Sequence, residues 1–261
     1  MLQINRASML YPDGEVTKMM KNITFSAQYD EFNDRVLRIP GDCHLKGIRI
    51  LSARRLRAIR VSGINSALEV LEVDKSAIRR LPSSLQYLQA LQKLEITKSI
   101  LDSFNLEPLN GIPNLISIYL TQNKLHRLEV SKDPMMVLSI SRLTLSSNRL
   151  EFINMEFFTP LKQLSILDLS GNRLKQIVAN IPVIFPSLSI INLAFNNPLP
   201  AAGGQQWAVA VGQAVPVTEA VRKRSARTSG DVQLILSIPL TAFSLGTPYP
   251  LKMPEVHRAL D

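Results

Sequence analysis

Residue types that could carry catalysis are few in this chain and far apart along it. The three histidines are His44, His126 and His257, and none has a second metal ligand at zinc-site spacing. Ser146 and Ser170 lie in turn-forming segments that place no base beside them to activate a hydroxyl. Phosphate-binding, dinucleotide-binding and zinc-protease motifs are absent. We therefore expect a protein that is not an enzyme and that uses no metal and no cofactor.

Other side chains are suited to binding a partner. They recur at the outward positions of a repeated pattern. The candidates are Glu72, Glu95, Tyr119, Arg142, Asp168 and Asn192. Tyrosine and arginine are enriched at interface hot spots. Asp168 is interpreted as a contact residue rather than as half of an acidic catalytic pair. The alternative for each residue is that it only solvates the surface.

A repeat with the pattern LxxLxLxxNxL must position these candidates. Its clearest copies are LISIYLTQNKL at residues 115–125 and LSILDLSGNRL at residues 164–174. Apolar and variable residues alternate in each copy, which predicts a short strand. One unit cannot bury its apolar face alone, so consecutive units must stack, with strands about 4.8 Å apart. The copies begin at Leu45, Leu68, Leu91, Leu115, Ile140, Leu164 and Leu188.

The asparagine position of the repeat predicts a buried polar ladder. An amide side chain can satisfy both the donors and the acceptors that the backbone leaves unpaired where each strand turns inward. The residues at this position are Ala53, Ser76, Ser99, Asn123, Asn148, Asn172 and Asn196.

Residues 45–199, which carry these patterns, resemble the leucine-rich repeat family. The resemblance implies an α/β solenoid with a parallel sheet on the concave face and short helical or irregular convex segments. It also implies protein or pathogen-ligand binding without catalysis. We expect an N-terminal cap over residues 1–44, a solenoid of about seven repeats over residues 45–200, and a poorly ordered, non-repeat tail over residues 201–261.

The sequence leaves the compartment open. The segment after Leu150 resembles a repeat class found mostly in extracellular proteins, whereas residues 81–91 (LPSSLQYLQAL) resemble a class common in intracellular adaptors. The single cysteine, Cys43, excludes a disulfide framework and is interpreted as a small buried hydrophobe. No signal peptide is evident, so we expect an extracellular protein if one precedes this sequence and a cytoplasmic protein otherwise. Asn22 starts a glycosylation acceptor, which matters only on the secretory route.

The net charge of +9 raises nucleic acid or an acidic membrane as partners. Mixed signs at the concave positions, such as Arg49 beside Glu72, would repel phosphate as much as attract it. No apolar run is long enough to span a bilayer. We therefore expect a protein partner, no nucleic acid and no membrane span, and we interpret the basic clusters as solvated charge. These clusters are Arg54, Arg55, Arg57 and Arg60, then Arg79 and Arg80, and a run over residues 222–227.

A finer resemblance is to the insect leucine-rich immune proteins. It rests on the leader Tyr29–Ile39 and on units such as SLSIINLAFNNP at residues 187–198. It implies secretion, a role in innate immunity and a hetero-complex with complement-like proteins. The sequence lacks that family's signal peptide, cysteine-rich segment and coiled coil, so we expect a short or truncated member. The alternatives are an intracellular signalling adaptor and an inert structural fragment.

Overall fold

The chain folds into stacked coils, each of which contributes short strands. The computed structural model describes residues 2–4, 26–178, 185–196 and 235–237, the first and last of these segments by their backbone alone. Helices in these segments are short 3₁₀ turns at Ser83–Tyr87, Glu107–Leu109 and Met155–Phe158. The strands are β1 (Leu2–Ile4), β2 (Ser26–Tyr29), β3 (Val36–Pro40), β4 (Gly47–Ile50), β5 (Ala58–Ser62), β6 (Val70–Asp74), β7 (Lys93–Thr97), β8 (Ser103–Asn105), β9 (Ser117–Tyr119), β10 (Arg127–Glu129), β11 (Arg142–Thr144), β12 (Phe152–Asn154), β13 (Ile166–Asp168), β14 (Gln176–Val178), β15 (Ile190–Asn192) and β16 (Ile235–Ser237).

Ten strands form one continuous sheet in the order β1-β2-β4-β6-β7-β9-β11-β13-β15-β16. Neighbours run parallel, except that β16 is antiparallel to β15. The solvent side of this sheet is the concave face of the solenoid. The predicted solenoid with a parallel sheet is confirmed.

The alternation of residues in each strand determines which side faces the core. Leu143 is buried on β11, and its register partners Ile118 on β9 and Leu167 on β13 are buried as well. Thr144, the next residue along, lies on the solvent side. Each buried leucine or isoleucine contributes about 1.5–3 kcal/mol of hydrophobic stabilisation, provided that the neighbouring coil covers it.

The predicted asparagine ladder is confirmed. The Asn148 amide donates to the carbonyl oxygen of Leu120 in the preceding coil at 2.9 Å and to that of Leu145 in its own coil at 3.0 Å. Its Oδ1 accepts from the backbone N–H of Leu125 at 3.1 Å. Each amide therefore ties two coils together. Equivalent bonds are made by Asn123, Asn172 and Asn196.

Serine replaces asparagine in the earlier coils and makes a simpler connection. The Ser99 hydroxyl accepts from the backbone N–H of Ser76 at 2.8 Å and from its hydroxyl at 2.9 Å. It donates in turn to the carbonyl oxygen of Thr97 at 2.8 Å. The shorter side chain makes fewer backbone bonds than asparagine but keeps the coils linked.

The residue before six of the seven ladder positions adopts a left-handed conformation, and Ser52, which precedes Ala53, does not. Gly171 has φ +64°, and it is the one glycine among the six residues at this position. An L-residue adopts this conformation at an energetic cost, so the stacking of the coils, rather than glycine, imposes the turn. The non-glycine residues, with φ between 48° and 57°, are Lys75, Lys98, Gln122, Ser147 and Phe195.

The convex side combines 3₁₀ turns with three short parallel strand pairs. The pairs are β3–β5, β8–β10 and β12–β14. The expected short helical segments are present, but the sequence did not predict the pairing of these strands. Aromatic side chains pack beneath this side, with ring centroids of Phe104 and Phe157 5.4 Å apart and those of Phe157 and Phe158 5.0 Å apart. Phe185 extends the stack at 6.4 Å from Phe158.

Several expectations concern the ends of the chain. β2, inside the segment assigned to an N-terminal cap, already pairs with β4 in the main sheet. Cys43 is buried, as expected. Asn22 and, apart from β16, the expected tail at residues 201–261 lie outside the described residues, so the domain boundaries stay a prediction. In the described segments, no helix has the length and hydrophobicity to cross a membrane.

The ladder predicts a large effect for Asn148→Ala. Removing the amide leaves the buried Leu125 N–H without its partner and takes one of two amide donors from each of the Leu120 and Leu145 carbonyls. The free energy of unfolding should therefore fall by about 2–4 kcal/mol. Urea unfolding of the full chain, followed by circular dichroism, measures the loss. The neighbouring exposed variant Arg149→Ala should change stability by less than about 0.5 kcal/mol. Wild-type stability in Asn148→Ala would contradict the ladder.

The strand register predicts opposite outcomes for two adjacent residues. Leu167→Asp places an unpaired charge in the core and should abolish the cooperative melting of the surrounding coils. Asp168→Ala removes only a local hydrogen bond to the Ser170 N–H and should cost about 1 kcal/mol or less. Thermal melts of the full-length variants compare the two. If both variants melt alike, the register of β13 is wrong.

Candidate protein-binding surface

The concave face presents its side chains in rows that run from strand to strand. A first row joins Lys93 on β7, Ser117 on β9 and Arg142 on β11. Neighbours in a row are about 4.8 Å apart. The middle row contains Gln28, Arg49, Glu72, Glu95, Tyr119, Thr144, Asp168 and Asn192. A partner approaching this face would contact both rows together.

An ion-pair network occupies the centre of these rows. Lys93 Nζ lies 2.7 Å from Glu72 Oε1 and 2.8 Å from Glu95 Oε2. Glu72 Oε2 accepts a second charged hydrogen bond from Arg49 Nε. Glu72 on β6 lies between two cations, Arg49 on β4 and Lys93 on β7. Each glutamate of the network is therefore paired with a cation on its own strand or on a neighbouring strand.

The pKa values reflect this alternation. Burial acts to raise the pKa of Glu72, but hydrogen bonds from Arg49 and Lys93 outweigh it and lower the pKa below the ordinary glutamate value. Burial acts to lower the pKa of Lys93, and its bonds to Glu72 and Glu95 raise it overall. The hydrogen bond to Glu72 likewise raises the pKa of Arg49. All three groups are therefore charged at neutral pH.

Tyr119 extends the network toward the later coils. Lys93 Nζ lies 5.2 Å from the centroid of its ring, within the range of a cation–π interaction. On the other side, Arg142 Nη1 donates to the Tyr119 hydroxyl at 3.4 Å. The connected side chains thus reach from β4 to β11 across five neighbouring strands of the sheet.

The predicted site residues fall into two groups. Glu72, Glu95, Tyr119 and Arg142 are brought together in the network, although Arg142 stands in the first row and not beside Tyr119 in the middle row. The other two lie beyond it, and each caps its own turn. Asp168 Oδ1 accepts from the Ser170 N–H at 2.9 Å, and Asn192 Oδ1 accepts from the Ala194 N–H at 3.1 Å.

Lys93 is the central residue that sequence reasoning missed. It occupies the first outward position of its strand, whereas most of the predicted site residues occupy the middle position. Its charge is opposite to those of Glu72 and Glu95 at neighbouring positions of the repeat. That complementarity is the signal in the sequence that could have identified Lys93 as a site residue. Arg49 also lies on the concave face but is not among the predicted site residues.

The surface becomes apolar past the network. Ile166 and Ile190 continue the first row after Arg142, and Ile190 is 37% exposed. A groove of about 410 Å³ borders the same row at the start of β7, β9 and β11, and its lining includes Ile116 and Gln163. Charged, aromatic and apolar groups are therefore contiguous. In the described part of the chain, no cluster of histidine, cysteine and acidic residues could hold a metal ion.

Comparison with known proteins agrees with this architecture. A family model described as leucine-rich repeat matches residues 139–198. No curated protein matches the sequence. A solved structure titled "Crystal structure of LRIM1/APL1C complex" superposes with a TM-score of 0.56 at 16% sequence identity, over 80% of this chain and 36% of that chain. This chain thus spans little more than a third of that relative.

Repeats of this kind typically serve as non-enzymatic scaffolds for protein interaction. The repeats matched over residues 139–198, the ladder at their asparagine position and the parallel-stranded solenoid together show a leucine-rich repeat fold.

Proposed function

We propose that this protein is a non-enzymatic scaffold that binds a protein partner across its concave face, within a hetero-complex of innate immune recognition. The observation that carries the proposal is the network from Arg49 to Arg142, whose side chains hold one another in place without any partner. Side chains that are already ordered lose little conformational entropy when a partner binds.

The composition of this surface suits a protein partner. Tyr119 and Arg142 stand at its centre, with Glu72 and Glu95 on one side as charged groups that select the partner's orientation. Ile190 supplies apolar area on the other side. Asp168 and Asn192 belong to the flank, and their turn-capping bonds leave them a smaller part in binding.

The immune assignment draws on the comparison with LRIM1/APL1C, whose structure is that of a complex. The leader Tyr29–Ile39 supports it further. An intracellular adaptor is the second candidate. It is favoured by residues 81–91, whose pattern is common in such proteins and which contain the 3₁₀ turn Ser83–Tyr87. The two candidates share the same binding face and differ in the compartment of the partner.

Capture of partners tests both candidates. The full chain is immobilised and exposed to extracellular fluid and, separately, to cytosolic extract of the source organism, and captured proteins are identified by mass spectrometry. Tyr119→Ala and Arg142→Ala should each raise the Kd for the identified partner at least about tenfold, as expected for hot-spot residues. A partner from extracellular fluid supports immune recognition, and one from cytosol alone supports the adaptor.

Matched controls separate the concave face from the rest of the surface. Tyr87→Ala and Arg149→Ala remove the same residue types from exposed positions outside the sheet. Both should leave Kd within about twofold of wild type, since contacts away from an interface contribute little. Equal losses in all four variants, or in none, would contradict binding at the concave face.

The ordering of the network by ion pairs predicts a pH dependence. The pKa of Glu72 is lower in the folded state than its ordinary value. The ion pairs of Glu72 therefore add to the free energy of unfolding above the ordinary glutamate pKa, and this addition is lost as pH falls through the lowered value. Glu72→Gln should be less stable than wild type at pH 7, and the difference should shrink as pH falls below the ordinary glutamate pKa and vanish below the lowered value. Urea unfolding at a series of pH values measures it. A difference that does not change with pH would show that Glu72 is not ion-paired.

A further inference from the structure

The convex strands β3 and β5 form a surface that is rich in arginine. Their parallel register sets Arg38 directly opposite Arg60, and the Arg57 N–H donates to the Arg35 carbonyl oxygen at 2.8 Å, which aligns that pair as well. All four side chains are exposed. Arg38 and Arg60 therefore stand opposite each other on the two strands, and Arg35 and Arg57 form a second pair immediately before the strands begin.

The next coil continues this surface. Arg79 follows the buried Ile78 as Arg57 follows the buried Leu56, and the Ala77 N–H donates to the Leu56 carbonyl oxygen at 2.8 Å. Arg79 thus lies on the coil after that of Arg57. We call the whole set the arginine face: Arg35, Arg38, Arg54, Arg55, Arg57, Arg60, Arg79 and Arg80.

Few acidic groups in the described part of the chain pair with these charges. Within the described segments, the single ion pair of the arginine face joins Arg80 Nε to Asp102 Oδ1 at 3.9 Å. Residues 35–40, 54–62 and 77–82, which form the face, contain no aspartate or glutamate. Like charges directly opposite on paired strands destabilise a sheet. The fold gains nothing from the Arg38–Arg60 pair, so an external anion is the group that would stabilise it.

We propose that the arginine face binds a linear sulfated polysaccharide. Guanidinium groups match the geometry of sulfate oxyanions through paired hydrogen bonds, whereas a lysine would act only as a point charge. Neighbours in a row are about 4.8 Å apart and the rows are about 10 Å apart, which suits a chain with closely repeated anionic groups.

The composition of the face favours a sugar chain over a nucleic acid. The three segments that form it contain no aromatic residue, and single-stranded nucleic acids are commonly held by stacking of their bases on aromatic side chains. A polyanion without bases needs only the oxyanion contacts that this face supplies. The face lies on the convex side, so a polysaccharide and a protein partner on the concave face would bind independently.

The test measures binding of the full chain to heparin, a size-defined sulfated probe, by titration calorimetry at several salt concentrations. R38Q/R60Q should weaken the affinity for heparin at least about tenfold. The slope of log affinity against log salt concentration should become shallower by about two, since two fewer counterions are released. R38K/R60K keeps the charge and loses the paired geometry, so it should recover only part of the affinity. Melting temperatures should be unchanged or higher in R38Q/R60Q, because a repulsive pair is removed.

Matched controls and competing probes decide the outcome. R149Q/R173Q removes two exposed arginines elsewhere and should change heparin affinity by less than about threefold. Equal loss in this control would overturn the proposal in favour of non-specific attraction to the net charge of +9. Desulfated heparin binding as tightly as heparin would also overturn it. So would tighter, Arg38-dependent binding of single-stranded DNA or of phosphatidylserine vesicles, which would identify a different occupant.

Discussion

Every coil of this protein depends on its neighbour to satisfy buried backbone polar groups. Where a strand of the main sheet turns inward, the carbonyl oxygens of Leu120 and Leu145 face the interior, and the amide of Asn148 bonds both. The Leu125 N–H depends on the next coil, since it donates to Asn148 Oδ1. An isolated coil would leave this N–H unpaired as well as exposing its leucines. The stacking of coils is therefore a requirement of hydrogen bonding as much as of hydrophobic burial.

The concave surface follows from this constraint. Because the ladder and the core hold successive strands in strict register, Lys93 stands between Glu72 and Glu95 and beneath the ring of Tyr119. No flexible loop is needed to bring these groups together. The same register on the convex side forces Arg38 against Arg60. One architectural rule thus produces a balanced charge network on one face and an unbalanced cluster on the other.

The sequence predicts the parts of this structure that are encoded within one repeat. The inward leucines and the ladder residues Asn123, Asn148, Asn172 and Asn196 could be read from their spacing alone. The contact between Lys93 and Tyr119, by contrast, depends on which rotamers meet across neighbouring coils. The pairing of β3 with β5 was also missed, since the segment Val36–Pro40 precedes the regular repeats. Residues in separate units are adjacent only after the pitch of the solenoid is known.

The most direct test of the central claim, that the concave face holds the protein partner, is oxidative footprinting of the full chain with and without the captured partner. Tyr119 and Ile190 report on the concave face, while the exposed Met135 and Phe152 report on surfaces away from it. The account predicts that the partner protects Tyr119 and Ile190 and leaves Met135 and Phe152 fully reactive. Protection of Met135 and Phe152, with Tyr119 unchanged, would contradict it.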